Sequence, residues 1–153
     1  MPYGGYNSYN NRQSSYNHPA NSNKSALSDL SEKKLPENYV DEAEKIMEAL
    51  SKEKGKLTTS KIRKILSMIS DIYNEEIHRT EDTLLEENQN RIQMIRVRLA
   101  YECGREDTVK KFVANAHLLN YIKGIHNSRA EFIRFARYME ALVAYHRFFD
   151  GKE

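Results

Sequence analysis

The stretch that most constrains the fold is Lys54 to Tyr73, where apolar residues recur at steps of three and four. Ile62, Ile65, Leu66, Ile69, Ile72 and Tyr73 share one face of a helix. Gly55 interrupts the preceding helical pattern, and Thr58 or Thr59 offers a side-chain oxygen to cap the new one. A rotation of roughly 100° per residue sets Arg63, Ser67, Ser70 and Asn74 in a row along the polar side. Lys54, Lys56, Lys61 and Lys64 surround the N-terminal end of this helix, and no acid lies between Lys54 and Lys64. Free N–H groups and the positive end of the helix dipole favour a phosphate at such a corner. A solvated basic face is the competing explanation of the same residues.

The helical period recurs along the chain. Pro36 suits a helix start, and Val40, Ala43, Ile46, Met47 and Leu50 make the stripe of a first helix ending near Ser51–Gly55. The Lys54–Tyr73 helix extends to about His78, followed by an acidic polar connection over 79–88. A third helix from about Asn88 to Cys103 puts Ile92, Ile95, Leu99 and Cys103 on one side and Arg91, Arg98 and Arg105 on another, with Gly104 as its stop. Asp107 or Thr108 caps a fourth, to about Ile125, that is apolar on two sides. Ser128 and Glu131 form a capping box for the last helix, whose core face includes Phe132, Phe135, Met139, Leu142 and His146.

A helix apolar on two sides is either central or covered by another subunit, so part of the fourth or fifth helix is expected to meet a partner. Alternating polar and apolar runs are absent, and heptads are too short for a coiled coil. The expected fold is all-α, a single compact bundle of about five helices over residues 36–153. Residues 1–35 are rich in Asn, Ser and Tyr and contain no Val, Ile or Phe, so a disordered tail is expected there. Tyr3, Tyr6, Tyr9, Tyr16 and Arg12 are groups that can stack on bases, although low-complexity extensions mostly have no specific partner.

Charge is segregated rather than in excess. Removing the four bases and two acids of residues 1–35 from the chain's 24 and 22 leaves 20 of each, a neutral folded part. Acids crowd Asp71–Glu87, whereas bases dominate 54–64 and 91–98. One basic and one acidic surface follow.

Catalytic and metal signatures are weak. Glu75 and His78 fit one Glu-x-x-His element of a di-iron bundle, but a second is missing. No phosphate-binding Gly-rich loop occurs, and the carboxylates of 75–87 read as solvated. Cys103 is the lone cysteine and reads as a packed side chain, and His146 as a hydrogen-bonded structural histidine. No enzyme activity, cofactor or metal is expected. With no membrane-length apolar run and no signal peptide, a soluble cytoplasmic protein is expected.

Leu57-Thr-Thr-Ser-Lys-Ile-Arg-Lys64, Arg98-Leu-Ala-Tyr-Glu-Cys-Gly-Arg105 and Tyr138-Met-Glu-Ala-Leu-Val-Ala-Tyr-His-Arg-Phe148 together resemble the small helical subunit of the type III-A CRISPR effector, the Csm complex. The resemblance spans roughly residues 36–152. It implies a non-catalytic RNA-binding bundle that stacks in several copies along the groove where guide RNA pairs with target RNA, beside a large subunit and a backbone subunit that carry the chemistry. Lys61 stands where glutamine is common in that family, and the Tyr/Asn-rich tail has no counterpart in it.

The bases expected to contact RNA backbone are Lys54, Lys56, Lys61, Arg63, Lys64, Arg91, Arg96, Arg98 and Arg105, with Arg129, Arg134 and Arg137 behind them. Such contacts ignore sequence and leave base identity to the guide's own pairing. A helical protein–protein scaffold, or a DNA-binding domain reading with the helix from Thr59, would share much of this pattern.

Overall fold

The computed structural model describes residues 29–150 apart from 54 and 56. Among these it contains α1 (Tyr39–Ser51), α2 (Thr59–Glu76), α3 (Glu86–Arg105), α4 (Asp107–Asn115), α5 (Leu118–Lys123) and α6 (Arg129–Asp150). No strand occurs among the described residues, and the one isolated bridge pairs Thr83 with Ser128. The all-α bundle is as the periodicity indicated. The terminal tail expectation falls mostly on residues 1–28, which lie outside the described residues.

α6, roughly 33 Å long at 1.5 Å per residue, is the spine of the bundle. It packs against α1 and α2, while α3 lies along α2 and carries α4 and α5. Tyr138, Phe112, Phe132 and Phe135 are the largest fully buried side chains, with Ile62, Ile69, Ile72 and Leu99 between them. These are the stripes seen in the sequence, closed on one another. Ser128 Oγ accepts the Glu131 N–H at 3.2 Å, so the expected cap of the last helix is present.

Three boundaries differ from expectation. The fourth helix is divided: His117 adopts φ 54° and ψ 35°, ending one helix and starting the next, so there are six described helices instead of about five. The Tyr138 hydroxyl donates to the Ala116 carbonyl at 2.9 Å, satisfying backbone at the break. Both apolar sides of that segment, from Val109 and Phe112 to Leu118 and Ile122, are buried within the chain and need no partner. Gly104 does not stop α3, which runs one residue further and ends where Glu106 becomes extended. α2 stops at Glu76, short of His78.

Residues 29–35, assigned to the tail by composition, lie along α5. The Lys33 N–H donates to the Asn120 carbonyl at 3.0 Å, and Asn120 Nδ2 donates to the carbonyls of Asp29 and Ser31 at 2.9 and 2.7 Å. Leu35 is buried. Gly124 lies so close to the Lys33 carbonyl that a Cβ there would collide with it.

Candidate nucleic-acid interface

α2 and α3 run antiparallel, and a buried carboxylate fixes how they meet. Glu76 is 0% exposed. Its Oε1 accepts from Asn88 Nδ2 at 2.8 Å and from the Leu85 N–H at 2.9 Å, and its Oε2 accepts from Arg79 at 2.7 Å. Arg129 of α6 donates to the Glu76 carbonyl at 2.7 Å. Burial opposes the charge on Glu76, but the Asn88, Leu85 and Arg79 donors outweigh it and hold the carboxyl below its ordinary value. Leu84 N–H to Asn127 carbonyl and Arg129 N–H to Asp82 carbonyl, both 2.9 Å, clip the connection onto the α5–α6 turn. The acidic run therefore is not wholly solvated, as its composition suggested: one of its members is a structural hub.

With that end pinned, the other end of the pair opens into a cleft of about 490 Å³. Ser60, Lys61, Lys64 and Ser67 enter from α2, and Arg98, Glu102 and Arg105 from α3. Ile65, Met68 and Val109 supply apolar lining, and Glu106 closes the rim. Lys61 pairs with Glu106, and Arg98 Nε lies 3.8 Å from Glu102 while its side chain stays 57% exposed. Lys64 and Arg105 are exposed and make no ion pair with any described residue.

The structure thus brings Lys61, Lys64, Arg98 and Arg105 together. Arg63 is exposed on the outward turn of α2, between Ser60 and Ser67 in helical spacing. Arg91 lies further along α3, bonded to Glu75 at 3.2 Å and to Asn88 Oδ1 at 3.1 Å. Arg96 is on the opposite flank of α3, in a hollow with Glu32, Lys123 and His126. Two residues turn a helix by about 200°, so Arg96 and Arg98 cannot share a flank, and Arg96 leaves the strip. Lys54 and Lys56 lie outside the described residues.

The second rank is mostly engaged in structure. Arg129 serves the Glu76 hub, and Arg134 donates to the Leu35 and Pro36 carbonyls at 3.1 Å beside Glu131 and the Tyr39 ring. Arg137 is exposed.

The bare helix end expected to hold phosphate is partly covered. Thr59 is buried, its hydroxyl 3.5 Å from His146 Nδ1, and His146 Nε2 bonds the Leu57 carbonyl at 2.8 Å. Basic side chains flanking the cleft, rather than the first turn of backbone, form the positive surface. His146 is the structural histidine its apolar face implied. Cys103 is packed on α3, and burial pushes its thiol up to about 11, which removes thiolate reactivity at neutral pH. Among the described residues no group of three or more His, Cys, Asp or Glu could hold a metal, and no helix is long and apolar enough to cross a membrane. Ser60, Glu102 and Glu106 were not singled out in sequence. Only Glu102 had a local signal, four residues after Arg98.

The family model for Csm2 of type III-A matches residues 33–152. "CRISPR system Cms protein Csm2" of Mycobacterium tuberculosis (strain CDC 1551 / Oshkosh) is 41% identical over 120 residues, covering 78% of this chain and 97% of the relative. The protein of that name from Streptococcus thermophilus is 44% identical over 120 residues, covering 76% of this chain and 95% of the relative. That from Enterococcus italicus is 33% identical over 95 residues, covering 61% of this chain and 68% of the relative. The matched range takes in α1 to α6 and both ends of the α2–α3 pair, and the chain belongs to the Csm2 family, the small subunit of type III-A CRISPR Csm complexes.

Proposed function

We propose that this subunit is a non-catalytic RNA-binding component that lies along the guide–target RNA duplex and grips target-strand backbone in the α2–α3 cleft. The observation that carries the reading is the meeting of Lys61, Lys64, Arg98 and Arg105, from separate segments, around one concavity. Arg guanidinium forks and Lys ammonium groups suit phosphate oxygens. Ser60 and Ser67 add hydroxyls of the kind that bond phosphate and sugar. Contacts from that set to phosphate and sugar carry no sequence information, which suits a subunit that must accept any guide.

The further parts of the reading rest on family membership: several copies side by side, contact with the large and backbone Csm subunits, and a cytoplasmic ribonucleoprotein. The bases Arg63 and Arg91 flank the cleft and extend the strip.

In the assembled complex, Arg63→Ala with Arg98→Ala is expected to weaken RNA retention about tenfold, with the circular dichroism of the bundle unchanged. Unaltered retention would refute the reading. A protein scaffold without nucleic-acid contact is favoured by one observation, that Lys61 and Arg98 already have carboxylate neighbours. Gel shifts with single-stranded RNA, duplex RNA and duplex DNA separate these readings, and a duplex-DNA preference would favour a recognition-helix role for α2.

A further inference from the structure

Residues 1–28 carry chemistry that the RNA-binding reading leaves unused. They hold Arg12 and Lys24 and no acid, and Tyr3, Tyr6 and Tyr9 recur at every third position. The family match begins only at residue 33. A surface suited to this segment lies on α3. Met94, Val97 and Tyr101 are 64%, 60% and 61% exposed, and with Met68 and Ile72 of α2 they line an open hollow of about 780 Å³. Its acids, Asp71 near the end of α2 and Glu87 at the start of α3, are at one end.

The spacings of the two partners match. Glu87, Met94 and Tyr101 stand seven residues apart, two helical turns, so they line up along one side of α3 at steps of about 10.5 Å. Tyr6, Tyr9 and Arg12 stand three residues apart, which on an extended PPII chain places them on one side at steps of about 9.3 Å. We propose that residues 6–12 of this chain dock in the Met-lined hollow, antiparallel to α3, with Tyr6 at Tyr101, Tyr9 at Met94 and Arg12 at Glu87.

Charge sets the direction. Running the other way would carry Arg12 to the Tyr101 end, where Arg98 and Arg105 repel it. At the Glu87 end the lining cation is Arg91, and it is already bonded to Glu75. Ring against thioether and ring against ring are favourable contacts that an adaptable methionine surface accommodates.

The chain also emerges in the right place. It enters the described structure at Asp29, and Leu30 shares a hollow with Gln93 and Arg96 on the flank of α3 away from α2. From there to Glu87 is six residues of rise, about 9 Å, and one helix diameter, about 10–12 Å, around α3. Residues 13–28 reach about 50 Å at full extension and about 22 Å on r.m.s. average, so the linker suits the span. Such a tether holds its end at about millimolar effective concentration and populates a contact too weak to form between separate chains. The docking goes beyond the RNA-binding reading and is measured without RNA, so the two can fail separately.

The test is methyl NMR of the full chain at about 50 micromolar, well below the tethered concentration, with methionine methyls labelled and a nitroxide on Ser8→Cys. Cys103 is buried and does not compete for the label. The oxidised nitroxide should lower the Met68 and Met94 signals about twofold relative to its reduced form, as half-occupancy requires, while Met47 and Met139, buried in α1 and α6, keep theirs. Tyr6→Ser with Tyr9→Ser should cut the bound fraction about tenfold, and Val97→Lys, at an exposed position, should also release the segment. Arg12→Glu and Glu87→Arg should each weaken the contact, and the two combined should recover it relative to either alone. Equal broadening of all four methyls, broadening indifferent to the Tyr→Ser pair or to Val97→Lys, or a double charge variant no better than its singles would overturn the proposal. So would broadening that appears only when label and methyls are on separate chains, which would give the hollow to another molecule.

Discussion

The two ends of the α2–α3 pair use the same kinds of side chain in opposite ways. At the Glu76 end, charges are withdrawn from water and committed: one carboxylate takes Asn88, Leu85 and Arg79, and Arg129 seals the backbone behind it. At the cleft end, Lys61, Lys64, Arg98 and Arg105 gather round a hollow with only Glu102 and Glu106 against them. Buried charge must be matched locally, whereas partly exposed charge can wait for a ligand. One end therefore fixes the geometry of the pair, and the other leaves Lys64 and Arg105 exposed with no ion pair to any described residue.

Breaking the fixed end should have the largest effect. Glu76→Ala leaves Asn88 Nδ2 and the Leu85 N–H without their acceptor, takes from Arg79 its buried partner while the Thr83 carbonyl and Glu81 remain, and should cost about 3 kcal/mol or more in urea unfolding. A loss under about 1 kcal/mol would mean that the hub is incidental. The same carboxylate gives stability a pH signature. Its folded pKa lies below its ordinary value of 4.5, so its contribution is present above that value and is lost as pH falls through the folded one. Glu76→Gln should flatten the fall in stability below about pH 4.5 relative to wild type. Equal slopes would remove Glu76 as its source.

Tyr138→Phe tests a smaller polar lock, the one that permits the break between α4 and α5. Removing the hydroxyl leaves the Ala116 carbonyl without that donor and should cost about 1 kcal/mol by thermal unfolding. The smallest effect is expected between the two ends. Glu75→Ala removes an ion pair to Arg91 whose members are 51% and 35% exposed, and it should change stability by no more than about 0.5 kcal/mol.

The Glu76 hub was legible in part. Ile62, Ile65, Ile69 and Ile72 make the buried stripe of α2, and Glu76 is its next member, four residues on. Asn88 likewise precedes Ile92 by four on the buried side of α3. Two polar residues on facing apolar stripes are a signal of mutual burial, hidden here because Glu76 sits inside a run of acids. The helices themselves were readable because period 3.6 survives any tertiary context.

The α4–α5 break was not readable, because the left-handed turn at His117 is held by distant Tyr138 and by burial of both flanks. Gly104 misled for the converse reason: its outward position in α3 needs no left-handed turn. For the cleft, helical phase placed Arg98 and Arg105 near one another and could have excluded Arg96. The approach of Lys61 and Lys64 depends on how α2 and α3 pair, and no spacing within one segment encodes that.

The salt dependence of single-stranded RNA binding tests the cleft most directly, comparing the full-length chain with a Lys64→Ala, Arg98→Ala, Arg105→Ala variant. Each phosphate contact adds about −0.7 to the slope of log affinity against log salt. The variant should bind more weakly with a slope shallower by about 2, its unfolding curve unchanged. A variant with the wild-type affinity and slope would contradict the assignment of RNA backbone to the space between α2 and α3.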